Sequence, residues 1–236
     1  MKSRFIYFFI FSNLYAHDPS LEFLNWSQYY RLGAVQSTTS KSGIATFARL
    51  KRTTSYTFKD LRFYGHFFYN DTEIRVRQKT SRRFLSFKRL YSFNTLMYER
   101  NTLLDVGLRY LYNQGMGWLL HDNRSENMTL EMAIAFDNSD YLNTEQKTSY
   151  LRGAYSADYK KTNVIAKFEI DYYYQLSKKI ESISLSRLQI VSELHWAINK
   201  QIGSIIGFTQ DFQTNIKSSP SIFFTFSVTQ PINWKF

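Results

Sequence analysis

The chain has 236 residues, with 30 Lys+Arg against 19 Asp+Glu, a formal net charge of +11 and no cysteine. Without cysteine there is no disulfide framework and no thiolate metal site. With only three prolines and nine glycines, a collagen-like repeat or a disordered chain is also excluded.

The first eighteen residues read "MKSRFIYFFIFSNLYAHD". Lys2 and Arg4 form a positive start, Phe5 to Phe11 a short apolar run, and Ala16 suits the last position before a cleavage site. This predicts a secretory leader over 1–16 and a mature domain over 17–236. Removing Lys2 and Arg4 lowers the formal charge from +11 to +9. No later stretch is long and apolar enough to be a transmembrane helix.

Beyond the leader, the pattern is one of long strands. They are predicted at 23–37, 42–54, 56–70, 73–87, 90–100, 106–120, 126–140, 146–160, 163–176, 184–198, 201–213 and 221–236. The second half carries the signal most cleanly. Met128, Leu130, Met132, Ile134 and Phe136 oppose Thr129, Glu131 and Asp137, while Phe168, Ile170, Tyr172 and Tyr174 oppose Lys167, Glu169, Asp171 and Gln175. In the last strand Ile222, Phe224, Phe226, Val228, Ile232, Trp234 and Phe236 share one parity. A period of two is a strand signal, and strands of soluble domains usually run only about 5–6 residues. The weakest segment is "EIRVRQKTSRRF", whose outward positions include Gln78, Thr80 and Arg82. Either it projects beyond the membrane or the register slips there, which leaves ten strands as the alternative count. Short polar turns such as "KKTN" and "NK" alternate with longer loops such as "NSDYLNTEQK" and "TNIKSSPS". That asymmetry is a habit of outer-membrane barrels.

Together these features predict an all-β fold: a closed antiparallel transmembrane β-barrel of about twelve strands. So many long oily faces cannot share the core of one soluble domain while their opposite faces carry charge, so lipid is the better partner. Closure satisfies every backbone polar group without an edge in hydrocarbon. A soluble β-sandwich or lipocalin-like barrel is the alternative fold. The 18% aromatic content suits two membrane–water interfaces. The basic residues are scattered and often alternate with acids, so they do not form the gathered face that nucleic acid requires. The cationic surplus suits outer-membrane lipid and lipopolysaccharide phosphate.

By parity the lumen receives Arg62, Arg75, Arg77, Arg109, Arg152, Lys167 and Arg187, together with Asp60, Glu73, Asp105, Glu131, Asp137, Glu169, Asp171 and Glu193. Opposite charges on neighbouring strands can pair. Eight strands leave an interior filled by side chains and sixteen an aqueous channel. At twelve, a plugged or narrow lumen is expected, with a small-solute pore as the alternative. Gly107, Gly115, Gly117, Gly203 and Gly207 also read as inward and suit bends or crowded positions. Lys79, Arg82, Arg83, Lys88 and Arg89 form a basic cluster near the fourth turn, a candidate anchor at the interface or for anionic phospholipid. His66 and His195 face the lumen, with Glu193 beside His195. Neither completes a triad, and no ligand set is spaced for a metal. Both are read as solvated lumen residues, and no cofactor is expected. A barrel enzyme acting on lipid or lipopolysaccharide is the alternative in which either would serve as base.

Two resemblances follow. Val228, Ile232, Trp234 and Phe236 resemble the C-terminal signature of outer-membrane barrels, which implies recognition by the barrel-assembly machinery. The stretch "LRYLYNQGMGWLLHDNRSENMTLEMAIAF" resembles the YdiY-like salt-induced outer-membrane proteins, a domain-of-unknown-function family. Arg109, Gly115, Gly117, Trp118 and Asp122 occupy that family's places; Gly43 alone remains of its Gly-Asn-Thr, and "LEMAIAF" departs from its second Gly-rich strand. The resemblance spans roughly residues 24 to 236. It implies an outer-membrane barrel, structural or envelope-stress related, with no catalytic residues. It does not indicate an oligomeric state.

Overall fold

The computed structural model describes residues 26–38, 42–104, 106–123, 125–140, 146–177, 184–213 and 220–232. The expected leader, His17, Asp105, Trp234 and Phe236 lie outside them. Twelve strands form one closed antiparallel barrel in which each pairs with its neighbours in sequence. They are β1 Trp26–Ser37, β2 Ser42–Thr53, β3 Thr57–Phe67, β4 Thr72–Arg83, β5 Leu90–Asn101 and β6 Val106–Asp122, then β7 Glu126–Ser139, β8 Gln146–Lys161, β9 Val164–Gln175, β10 Arg187–Ala197, β11 Ile202–Gln213 and β12 Ser221–Ile232. The count of twelve is correct, and the sequence boundaries fall within a few residues of these.

The seam is β1 against β12, in register from Trp26↔Ile232 to Ser37↔Ser221. Pro231 sits in this seam opposite Ser27, beyond the last β11–β12 pair at Ile202↔Val228, so its missing N–H breaks no ladder on the β11 side. The rim where β1 begins and β12 ends is called here the near rim. Its turns are compact and held by side chains. Thr54 Oγ1 accepts from the N–H groups of Tyr56 and Thr57, Asn123 Oδ1 from Ser125 and Glu126, and Asn199 Oδ1 from Gln201 and Ile202. The other connections lie at the far rim.

Alternation then sorts the side chains. Ile222, Phe224, Phe226 and Val228 are exposed on the outer wall, and Ser221, Phe223, Thr225 and Ser227 are buried inside. The same holds for Met132, Ile134 and Phe136 against Glu131, Ala133, Ala135 and Asp137. In β4 the pairing with β3 and β5 runs without a slip, so Gln78, Thr80 and Arg82 do face outward. Ser92 and Asn94 of β5 and Gln114 of β6 continue this polar interruption, and the Tyr112 hydroxyl lies 3.2 Å from Asn94 Oδ1.

The register shifts twice around β6, between Glu99 and Asn101 of β5 and between Leu119 and His121. The first shift corrects one expectation: Gly107 is exposed rather than inward, because parity restarts at Val106. Two other glycines make room for rings. A Cβ on Gly117 would lie 2.2 Å from the Tyr91 ring, and one on Gly207 2.1 Å from the Phe223 ring. Each ring belongs to the residue directly opposite on the paired strand, so a bare wall position lets an aromatic lie flat across it.

Two tests follow from the wall. Phe226→Arg places a guanidinium against hydrocarbon at a cost of about 2–4 kcal/mol. The heat-modifiable folded band should fall sharply, while Phe226→Leu should leave it intact. Ser227 is no match for such a swap, since it is buried over Gly203 rather than wet. Thr162, in the two-residue β8–β9 turn, has φ 52°, a region that β-branched residues avoid. Thr162→Gly should therefore stabilise the barrel by about 1 kcal/mol, read as a higher urea midpoint in detergent.

Candidate functional site

The inward faces of the twelve strands place a large number of charges in the lumen, and a narrow tube gives them few options except one another. In the far half, Glu99 of β5 is the centre. It lies 2.8 Å from Arg75 of β4, 3.1 Å from Arg109 of β6 and 3.7 Å from Arg187 of β10. Arg109 reaches on to Asp137 of β7 at 3.2 Å, and Arg75 to Glu73 at 3.4 Å and Asp211 of β11 at 3.7 Å. Glu99, Arg109 and Asp137 are all buried. Because β10 is five places from β5 around the barrel, the Arg187–Glu99 pair crosses the lumen rather than running along the wall.

Apolar side chains fill what these ions leave. Val35, Ala45, Phe68, Ile205 and Phe223 form one cluster, and Met97, Val106, Leu111, Ala135, Tyr150, Tyr173 and Leu185 form another. Phe68 and Leu185 come from far-rim connections folded inward, and the Leu185 N–H donates to Gln175 Oε1 at 2.7 Å. His66 belongs to this layer. It is 1% exposed, with Nδ1 2.9 Å from the Tyr64 hydroxyl and 3.2 Å from Glu73, and its ring packs on Phe68 and Phe223. The expectation of a solvated His66 is corrected: alternation put it inside, but the interior at that height is packed.

In the near half the ion pairs surround open space. Arg31 of β1 grips Glu193 of β10 with two bonds, 2.5 and 3.0 Å, and His195 Nε2 lies 2.7 Å from the same carboxylate. Asp60 accepts from Arg49 at 2.6 Å and Arg62 at 2.5 Å. Arg62 then meets Glu169 of β9 at 3.6 Å, on the strand directly opposite β3 in the ring of twelve. Glu131 accepts from Tyr91 at 2.7 Å, from Arg152 at 3.0 Å and from Lys79, and Arg152 also bonds Asp171. These groups border a cavity of about 610 Å³. It opens at the near rim between Thr54, Tyr56, Asn123 and Lys160 and ends at Tyr64, Arg75 and Phe223.

Parity placed Arg109, Arg152, Glu169, Asp171, Arg187 and Glu193 inside, and the structure joins each to a partner. It also places Lys167 in the cavity wall. The expected basic cluster at the fourth turn is divided instead. Lys79 points inward to Glu131, Arg82 faces out, and Arg83 pairs with Asp122 at 2.7 Å on the near rim. Four lumen cations are absent from the inward set read by parity: Arg31, Arg49, Lys51 and Lys79. Their signal was present, since Arg49 and Lys51 flank Leu50, but Arg52 beside them obscured the alternation. The Glu193–His195 pair is held by Arg31, which takes both carboxylate oxygens. Among the described residues no group of three His, Asp or Glu side chains could hold a metal ion.

The family described as "Protein of unknown function, DUF481" matches residues 32–221, most of the barrel. The chain belongs to this family. The YdiY-like resemblance of its central strands is consistent with that membership. No curated protein sequence matches the chain. Among solved structures, the NanC porin superposes with a TM-score of 0.55 at 10% identity, covering 87% of this chain and 98% of that one. The COG4313 outer membrane channel from Pseudomonas putida F1 superposes at 0.52 and 7% identity, covering 88% and 95%. At such identities the likeness is one of fold: this DUF481 chain has the barrel of outer-membrane channels.

Removing the carboxylate shared by three guanidiniums is the sharpest test of the far-half network. Glu99→Ala should cost about 3–5 kcal/mol, because buried charges lose their partner. The unfolding temperature in detergent should drop strongly. Asp122→Ala, which breaks an exposed rim pair, should change it little.

Proposed function

We propose that this DUF481 protein is an integral outer-membrane barrel closed to through-flow, an envelope component rather than a diffusion pore. The observation that carries this reading is the far half of the lumen, where a Glu99-centred ion network spans four strands and two apolar clusters occupy the remaining space. A solute path needs continuous water, and neither a buried Arg–Glu lattice nor a layer of Phe and Tyr rings supplies it. The two similar structures bear the names porin and channel; the fold is common ground, and the lumen filling is what supports a different use here.

This reading includes export through a leader over 1–16 and insertion guided by Val228, Ile232, Trp234 and Phe236. The outer wall meets outer-membrane lipid and lipopolysaccharide. The YdiY-like resemblance adds a salt-induced, envelope-stress setting, checked by protein level after a rise in NaCl. No residue is assigned a catalytic role: the carboxylate beside His195 is taken on both oxygens by Arg31, and His66 is enclosed by Phe68 and Phe223.

Planar-bilayer recording of the folded barrel tests the central point. The native protein should give no sustained steps. A triple Phe68→Ala, Leu185→Ala, Phe223→Ala variant, which thins the apolar packing but keeps the Glu99 network, should give at most small, brief steps. Large steady steps from the native protein would overturn the proposal.

A further inference from the structure

The near-half cavity reaches the near rim and is lined by eleven Lys and Arg against seven Asp and Glu, a difference of 11 − 7 = 4 positive charges. Most of the acids are already engaged. Glu193 is taken by Arg31, Glu169 by Arg62, Asp171 by Arg152, Glu131 by Lys79 and Arg152, and Asp122 by Arg83. The surplus is therefore carried by particular cations. Arg49, Arg62 and Arg77 stand directly opposite one another across β2, β3 and β4. Like charges at paired positions repel. Asp60 relieves Arg49 and Arg62, with both Nε–H groups donating to it. Arg77 has no such relief. It lies in the cavity wall, and among the described residues no carboxylate comes within ion-pair distance of it. Lys51 and Lys167, also in the cavity wall, are likewise without an ion-pair partner there; Asp158 stands opposite Lys167 in register but not at pairing distance.

A guanidinium in a cavity wall with no carboxylate at ion-pair distance can take an acceptor that arrives from solution. A low-dielectric tube lined with one sign of charge also concentrates counter-ions of the other sign. We infer that the near-half cavity is a binding site for a small water-soluble polyanion bearing phosphate or carboxylate groups, received by Arg77 with Lys51 and Lys167. Arginine suits this role because its planar fork matches the oxygens of either group bidentately. The anion enters from the near rim, since the cavity lining includes rim residues only at that end. A lipid-borne phosphate is excluded by the same geometry: the cavity is walled by continuous sheet, and its mouth opens to water. The inference does not depend on whether the far half conducts.

Titration calorimetry of the folded barrel in zwitterionic detergent at low salt, with inorganic pyrophosphate as probe, tests this. The native barrel should bind, and added NaCl should weaken binding. Arg77→Gln should weaken it about tenfold, as expected for losing a bidentate charge-assisted contact. Arg82→Gln, the same charge change on the outer wall, should stay within about twofold. Dihexanoyl phosphatidic acid should not compete, which separates a soluble anion from a lipid headgroup. If Arg77→Gln fails to show a heat-modifiable folded band, the Lys51→Gln/Lys167→Gln double variant is compared with Lys59→Gln/Arg82→Gln, an outer-wall pair of equal charge. No binding by the native barrel would overturn the inference. So would equal weakening by the inner and outer variants, or full competition by the lipid.

Discussion

The pairing of β1 with β12 is the contact on which everything else in this molecule depends. Open, the sheet would present two rows of unpaired N–H and C=O groups, a cost that hydrocarbon cannot offset. Closed, it becomes a tube of fixed circumference. From then on every strand side chain has one of two addresses, and within each stretch of unbroken register the choice is made by parity. Oily residues such as Phe224 and Phe226 go out, and charged residues such as Arg109 and Glu131 go in.

A tube of twelve strands is too narrow to let that many charges each keep a shell of water. They pair, and they do so across the lumen as well as along it. Arg62–Glu169 and Arg187–Glu99 join strands on opposite or nearly opposite sides. Such pairs contribute little net stability after desolvation, but removing one partner leaves the other stranded. That makes the interior intolerant of loss. Arginine dominates because one guanidinium can serve two carboxylates, as Arg152 does for Glu131 and Asp171.

The lumen is not uniform along its axis. Toward the far rim, rings and aliphatic side chains enter among the ions, helped by Phe68 and Leu185 from the connections. Toward the near rim the same density of charge surrounds open space. The outer wall is uneven too. On β4, β5 and β6 the apolar face gives way to Gln78, Thr80, Arg82, Ser92, Asn94 and Gln114. The row is local: on β6, Met116 and Trp118, which follow Gln114 toward the near rim, are again apolar and exposed.

The sequence by itself determined the class and which face of most strands looks inward, and pointed to about twelve strands with ten as the alternative, because parity is a local property that Met128 to Phe136 or Ile222 to Val228 display without help. It could not decide what the inward residues meet. Glu99 was not singled out at all, since its importance comes from Arg75, Arg109 and Arg187 arriving from three other strands. Gly107 was misplaced because a register shift resets parity and leaves no mark on composition. His66 was read as wet because alternation places a residue inside without saying at what height the inside is packed. Ion-pair partners, the apolar clusters of the far half and the near-half cavity are products of closure, where residues far apart in the chain meet across a space whose width only the assembled ring of strands defines.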